Sequence, residues 1–128
     1  MGTTTTSPIR ILVVDDKKVI QDFFDITFGY YGHQITVLQD AALITKLVKE
    51  KTFDIVFVDM VMPNRDGIEV LKDLKNACPN LPVVMMSGYS LQEQKDEAVR
   101  LGASGCLKKP FELEDIRKII KQVISRDV

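Results

Sequence analysis

The chain has 128 residues, 45% of them apolar and 27% charged, a length that fits one compact domain. Seventeen Lys and Arg against eighteen Asp and Glu leave a net charge of −1, which lacks the basic excess of a domain built to grip nucleic acid, so no direct nucleic-acid partner is expected. No uninterrupted apolar run exceeds four residues, against the roughly 18 of a membrane span, and the N-terminus lacks a signal peptide's hydrophobic stretch, so no membrane partner and a cytoplasmic location are expected.

Met1-Gly2-Thr3-Thr4-Thr5-Thr6 matches a myristoylation pattern literally, but the polar, threonine-rich stretch over residues 1–8 reads as a disordered leader to a folded domain over residues 9–126. From Ile9 onward, short β-branched runs alternate with longer segments of helical period, the pattern of repeated βα units around a parallel sheet. The first strand is predicted from Ile9 to Val14. The helix after it, from Lys18 to Phe28, is expected to bury Val19, Ile20, Phe23 and Phe24 and to end at Gly29 or Gly32. His33 reads as a strand-edge residue without a partner, making neither a metal site nor a relay.

The second strand is predicted from Gln34 to Leu38, with Asp40 capping a helix whose Leu43, Ile44, Leu47 and Val48 form one apolar face. The third strand, Asp54 to Val58, and the fourth, Pro82 to Met86, are dense in apolar residues, as a sheet covered on both faces requires. Between them a helix from Gly67 to Ala77 presents Ile68, Leu71 and Leu74 and stops at Cys78-Pro79-Asn80. Met60, Met62, Met85 and Met86 read as core filler.

Ser90 with Glu93 three residues on suggests a capping box for a fourth helix that Gly102 ends. Its stretch Gln92 to Glu97 has no apolar residue, so this is expected to be the most mobile helix. A fifth strand, Gly105 to Lys108, leads to the clearest helix. There Leu113, Ile116, Ile119, Ile120, Val123 and Ile124 keep the helical period, and Arg117, Lys118 and Lys121 take the wet side. Cys78 and Cys106 show no CxxC spacing; neither zinc nor a disulfide is expected, and Cys106 reads as a small buried hydrophobe in a reducing cytosol.

In a doubly wound parallel sheet, ligands bind outside the carboxyl ends of the strands. Strand one is followed by Asp15-Asp16, strand three by Asp59, strand four by Ser87 and strand five by Lys108-Lys109-Pro110. If strands one and three are neighbours, a spacing of ~4.8 Å brings Asp15, Asp16 and Asp59 together. Each pair of charges ~5 Å apart, at an effective dielectric of ~20, repels by roughly 3 kcal/mol. A divalent cation would offset this, and an incomplete protein shell completed by waters and a substrate phosphate suits Mg²⁺ better than Ca²⁺.

The site therefore reads as a magnesium-dependent phosphoryl site. Ser87, one strand from Asp59, can donate its hydroxyl to a phosphoryl oxygen. A lysine starting ~10 Å from Asp59 can reach the carboxylate or the phosphoryl group. Lys109 is the choice because strand alternation sends Lys108 to the opposite face. The peptide before Pro110 is a candidate for cis geometry. Singly, these residues have plain readings as helix caps, turns and loop dipeptides; together, at four strand ends, they argue for chemistry.

Asp15-Asp16, the run Phe53-Asp54-Ile55-Val56-Phe57-Val58-Asp59 with Met62-Pro63 and Gly67 following, Ser87-Gly88, and Lys109-Pro110-Phe111 together resemble the receiver domain of bacterial-type two-component response regulators. The resemblance runs from residue 9 to residue 125. It implies a flavodoxin-like α/β fold, a doubly wound five-stranded parallel sheet in the order 2-1-3-4-5 with five helices in a three-layer sandwich. Asp59 would be the phosphoacceptor, attacking a phosphohistidine on a sensor histidine kinase or phosphotransfer protein to form an acyl phosphate. Such a domain phosphorylates and dephosphorylates itself and turns over nothing beyond the phosphodonor.

By the same resemblance, Mg²⁺ would be bound directly by Asp16, through water by Asp15, by one oxygen of Asp59 and by the backbone carbonyl of Val61. Lys109 and Ser87 would hold the phosphoryl oxygens, so that catalysis is positioning and charge neutralisation. Output would pass through the face of helix four, strand five and helix five to a downstream protein or output domain. The chain departs from the pattern at Cys106, where receivers carry Tyr or Phe three residues before the lysine. Ser87, Tyr89 and Cys106 are the candidate switch positions, with Tyr89 as the substitute aromatic. Val61 and Tyr89, expected beside the attacking water, offer no carboxylate or amide, so a long-lived acyl phosphate is expected.

A haloacid-dehalogenase-like phosphatase would need a second Asp where Val61 stands. A flavodoxin would set its FMN phosphate against Asp15-Asp16. A pseudo-receiver that never takes phosphate would have no use for the intact set of Asp15, Asp16, Asp59, Ser87 and Lys109. The chain is expected to be either a stand-alone regulator or a receiver excised from a longer one.

Overall fold

Apolar runs too short for helices and helical segments too short to be stable alone are satisfied together when the strands pair and the helices cover both faces of the sheet. The computed structural model describes residues 8–63, 65–88 and 92–125. Most of the expected leader, Tyr89, and the Ser90 cap lie outside the described residues. The elements are β1 (Arg10–Val14), α1 (Lys18–Tyr30), β2 (Gln34–Leu38), a 3-10 turn (Ala41–Leu43), α2 (Ile44–Glu50), β3 (Ile55–Asp59), α3 (Gly67–Ala77), β4 (Val83–Ser87), α4 (Gln92–Arg100), β5 (Gly105–Lys108) and α5 (Leu113–Ile124).

The five strands form one sheet in the order β2-β1-β3-β4-β5, and every neighbouring pair is parallel. Alternation along the strands sorts the core into two layers. Leu12, Val14, Val56, Val58, Val83 and Met85 face Ile44 and Val48 of α2, Val70, Leu71 and Leu74 of α3, and Ala98 of α4. Ile11, Val13, Ile55, Phe57, Val84, Met86 and Leu107 face Phe24 and Phe28 of α1 and Ile116, Ile119 and Ile120 of α5. This is the expected three-layer sandwich. Among the described residues no helix is long and apolar enough to cross a membrane.

Three strands begin one residue later than expected, at Arg10, Ile55 and Val83. Pro82 has no N–H to give the ladder, so β4 starts at Val83. β3 and β4 then extend to Asp59 and Ser87, which makes both residues the last members of a ladder instead of loop residues. Arg10 and Asp54 tie together the amino ends of β1 and β3, with the Asp54 carboxylate accepting from the Arg10 backbone at 2.7 Å and from its guanidinium at 3.2 Å.

The structure corrects several expectations. Val19 is 73% exposed; the buried positions of α1, which runs on to Tyr30, are Gln21, Phe24 and Phe28, and Ile20 and Phe23 pack partly buried against the same layer. Asp40 caps the 3-10 turn, accepting from Ala42 N–H at 3.0 Å; Leu43 lies in that turn and is exposed. His33 is buried, and its Nδ1 accepts from Ile9 N–H at 3.1 Å, giving the first residue of the core an acceptor at the start of the sheet. Arg117 is only partly wet: its guanidinium packs 5.1 Å from the Tyr31 ring centre and bonds Glu114 at 2.9 Å.

Candidate functional site

Asp15 follows β1 on the face shared by Ile11 and Val13. It is fully buried, with Oδ1 accepting from Lys17 N–H at 2.8 Å and Oδ2 accepting from Lys109 Nζ at 3.0 Å. Its backbone carbonyl accepts from Gln21 Nε2 at 2.7 Å, and Gln39 reaches Gln21 at 3.4 Å. Gln21 is thus a buried polar residue on an otherwise apolar helix face, spent on fixing the end of β1.

Asp59 ends the central strand opposite Met86 and is 3% exposed. Its two carboxylate oxygens have different partners. Oδ1 accepts from Val61 N–H at 3.2 Å and lies 3.4 Å from Lys109 Nζ; Oδ2 accepts from Lys17 Nζ at 2.9 Å. Helix α3 starts hard against this strand end, where a Cβ at Gly67 would sit 2.5 Å from the Asp59 carbonyl oxygen and from Met60 Cα. Gly67 is therefore required by close backbone approach. Asp66 caps α3 by accepting from Ile68 N–H at 3.0 Å, and Asp66 also bridges to Val61.

Lys109 reaches the cluster because Leu107 and Lys109 share the face of Phe57 and Asp59, whereas Lys108 is exposed on the other side. The backbone helps: Lys109 N–H donates to the Ser87 carbonyl at 2.7 Å, and the Lys109-Pro110 peptide is cis. Ser87 is half-buried one residue beyond the partner of Asp59, level with Lys108. Val61 stands half-exposed at the mouth of the site. Cys106 pairs with Met85 on the opposite face of the sheet and packs against the α2–α4 layer. It is only partly buried, short of the full burial expected, and burial pushes its thiol above the ordinary range, against the pull of Lys95.

The structure brings Asp15, Asp16 and Asp59 together, one oxygen of each lying within 4.8 Å of the others. Opposite ligands of an octahedral Mg²⁺ with bonds of ~2.1 Å are ~4.2 Å apart, so an all-oxygen donor set of this span fits the ion with one carboxylate held through water. Asp16, with its side chain 32% exposed, is the most open of the cluster.

Lys17 is the residue that sequence reasoning missed. Its ammonium lies 2.9 Å from Asp59 Oδ2 and 3.3 Å from Asp16 Oδ1, and the bond to Asp59 pushes its pKa above the ordinary lysine value against a smaller effect of burial. Two ammoniums therefore already offset part of the repulsion among three carboxylates. The only trace in the sequence is a lysine directly after Asp15-Asp16.

The family model of the response regulator receiver domain matches residues 11–121. The chain belongs to the receiver family of two-component response regulators. Response regulator MprA of Mycobacterium sp. (strain KMS) is 28% identical over 119 residues, 93% of this receiver and 52% of that protein. The receiver thus spans about half the length of the first curated relatives it matches. Sporulation initiation phosphotransferase F of Bacillus subtilis (strain 168) is 31% identical over 115 residues, 90% of this receiver and 93% of that protein. The solved structure of chemotaxis protein CheY4 from Vibrio cholerae matches with a TM-score of 0.84 at 26% identity, covering 91% of this receiver and 99% of that chain. The receiver is a phosphorylation-dependent regulatory domain with a flavodoxin-like fold, as its motifs imply. Receiver domains bind Mg²⁺ at an acidic pocket, and Asp15, Asp16 and Asp59 form an acidic cluster here.

Proposed function

We propose that Asp59 accepts the phosphoryl group, from a phosphohistidine of a sensor kinase or phosphotransfer protein. The observation that carries the reading is the position of Asp59: a buried carboxylate at the end of the central strand, with Lys109 3.4 Å from one oxygen and two further carboxylates beside it. An Asp59 oxygen attacks phosphorus in line with the P–N bond. That bond breaks, its electron pair leaves with the imidazole nitrogen, which takes up a proton, and an aspartyl phosphate remains.

Lys109, held by the Ser87 carbonyl, places its ammonium on the phosphoryl oxygens, and the Ser87 hydroxyl donates to another of them. Asp16, one oxygen of Asp59 and the Val61 carbonyl would hold Mg²⁺ directly, with Asp15 contributing through water. The ion, when bound, supplies positive charge to the phosphoryl oxygens. Phosphorylation draws Ser87 inward and is read by a downstream protein or output domain on the face of α4, β5 and α5, without an aromatic side chain at Cys106.

Incubation with acetyl phosphate and Mg²⁺ is expected to add one phosphoryl mass, and Asp59→Asn to prevent it. Labelling of the Asn variant near the wild-type stoichiometry would overturn the assignment.

A further inference from the structure

Of the two lysines on the carboxylate cluster, Lys109 belongs to the phosphoryl-binding set and Lys17 does not. The Lys17 ammonium bridges Asp16 and Asp59, the same two carboxylates that would bind Mg²⁺ directly. We propose that Lys17 is a tethered cation occupying the Mg²⁺ position, so that the metal enters this receiver by displacing it. The inference rests on the reading of Asp15, Asp16 and Asp59 as the Mg²⁺ site.

The charge count requires an exchange. Three carboxylates and two ammoniums sum to −1 around the site. A divalent ion added with Lys17 in place would turn this to +1 and set two cations against the same pair of oxygens, where repulsion is strongest. Lys109 can stay, because it approaches from the other side, on Asp15 Oδ2 and Asp59 Oδ1.

Lys17 is also the lysine free to leave. Its side chain is 51% exposed, against 17% for Lys109. Its backbone is anchored independently, by the N–H bond to Asp15 Oδ1 and by carbonyl bonds to Ile20 and Gln21 in the first turn of α1. Only the four-carbon stem must change rotamer, after which the ammonium is solvated. The exchange frees Asp59 Oδ2, the oxygen that Lys17 covers in its absence. The metal-free site is thereby nearly charge-balanced, and wild-type Mg²⁺ affinity is weakened by the work of expelling the lysine.

Isothermal titration of Mg²⁺ into the full chain at constant ionic strength tests this. Lys17→Met and Lys17→Gln are each expected to bind Mg²⁺ roughly tenfold more tightly than wild type, a coupling of ordinary size, and Lys17→Arg to stay near wild type. The metal-free Tm of the two neutral variants is expected to fall below wild type, with the difference closing at saturating Mg²⁺. Neutral variants that bind Mg²⁺ no more tightly than wild type, or not at all while wild type binds, would overturn the role of Lys17 alone. No uptake of Mg²⁺ by wild type and the neutral variants alike would overturn the metal site and this inference with it.

Discussion

At Asp15 a carboxylate without solvent contact is held by a backbone N–H and by Lys109. Removing one partner of a buried ion pair leaves an uncompensated charge, which costs about 3 kcal/mol or more. Lys109→Met, which keeps most of the stem volume, is therefore expected to lower the metal-free Tm by roughly 10 °C. Adding Asp15→Asn to that variant removes the orphaned charge and is expected to recover most of the loss, as thermal denaturation of the single and double variants would show. Equal melting of wild type and Lys109→Met would mean that the pair contributes nothing to the fold.

Among the helices, α4 has the weakest hold on the sheet. Gln92–Arg100 buries Ala98 and no other residue, whereas α3 buries Gly67, Val70, Leu71 and Leu74 and α5 buries Ile116, Ile119 and Ile120. Little apolar area resists its opening, so its amides are expected to exchange faster than those of α3 and α5. The same looseness makes α4 the element a small bias can shift. On the proposed reading, phosphorylation at Asp59 would act through Ser87 at the end of β4, and only a few kcal/mol of differential binding are needed to change the population of a marginal element. With Mg²⁺ and beryllofluoride, a phosphoryl mimic, the largest change in amide protection is expected at Ser87 and along α4. A response confined to α1 or α2 would place the output face elsewhere.

Over the whole molecule, a ligand that binds only the assembled sheet end stabilises the fold, since Asp15, Asp16 and Asp59 are brought together by the pairing of β1 with β3. Binding adds RT ln(1 + [L]/Kd), about 1.4 kcal/mol at tenfold over Kd. Mg²⁺ is expected to raise the Tm of wild type, and Asp16→Ala to abolish the rise. A wild-type Tm indifferent to millimolar Mg²⁺ would count against the site.

By itself the sequence determined the alternation of strands and helices, the α/β class and the strand-end placement of Asp15, Asp16, Asp59, Ser87 and Lys109. These follow from local periods: a two-residue alternation decides that Lys109 and not Lys108 turns toward Asp59, and a helical period decides which face of α5 is buried. The tertiary structure decided what local period does not govern. Lys17 lies between β1 and α1, outside any regular alternation, and its reach into the site depends on Asp59 arriving from a strand 42 residues away. Gln21 and His33 are buried because the carbonyl of Asp15 and the N–H of Ile9 need partners at the two ends of β1, while Val19, apolar and in period, is left outside because nothing in the sheet faces it. A carboxylate cluster read from the sequence looks as though it must have a metal; once folded, it already holds two lysines, because the neighbours that set its charge are assembled from strands and loops far apart in the chain.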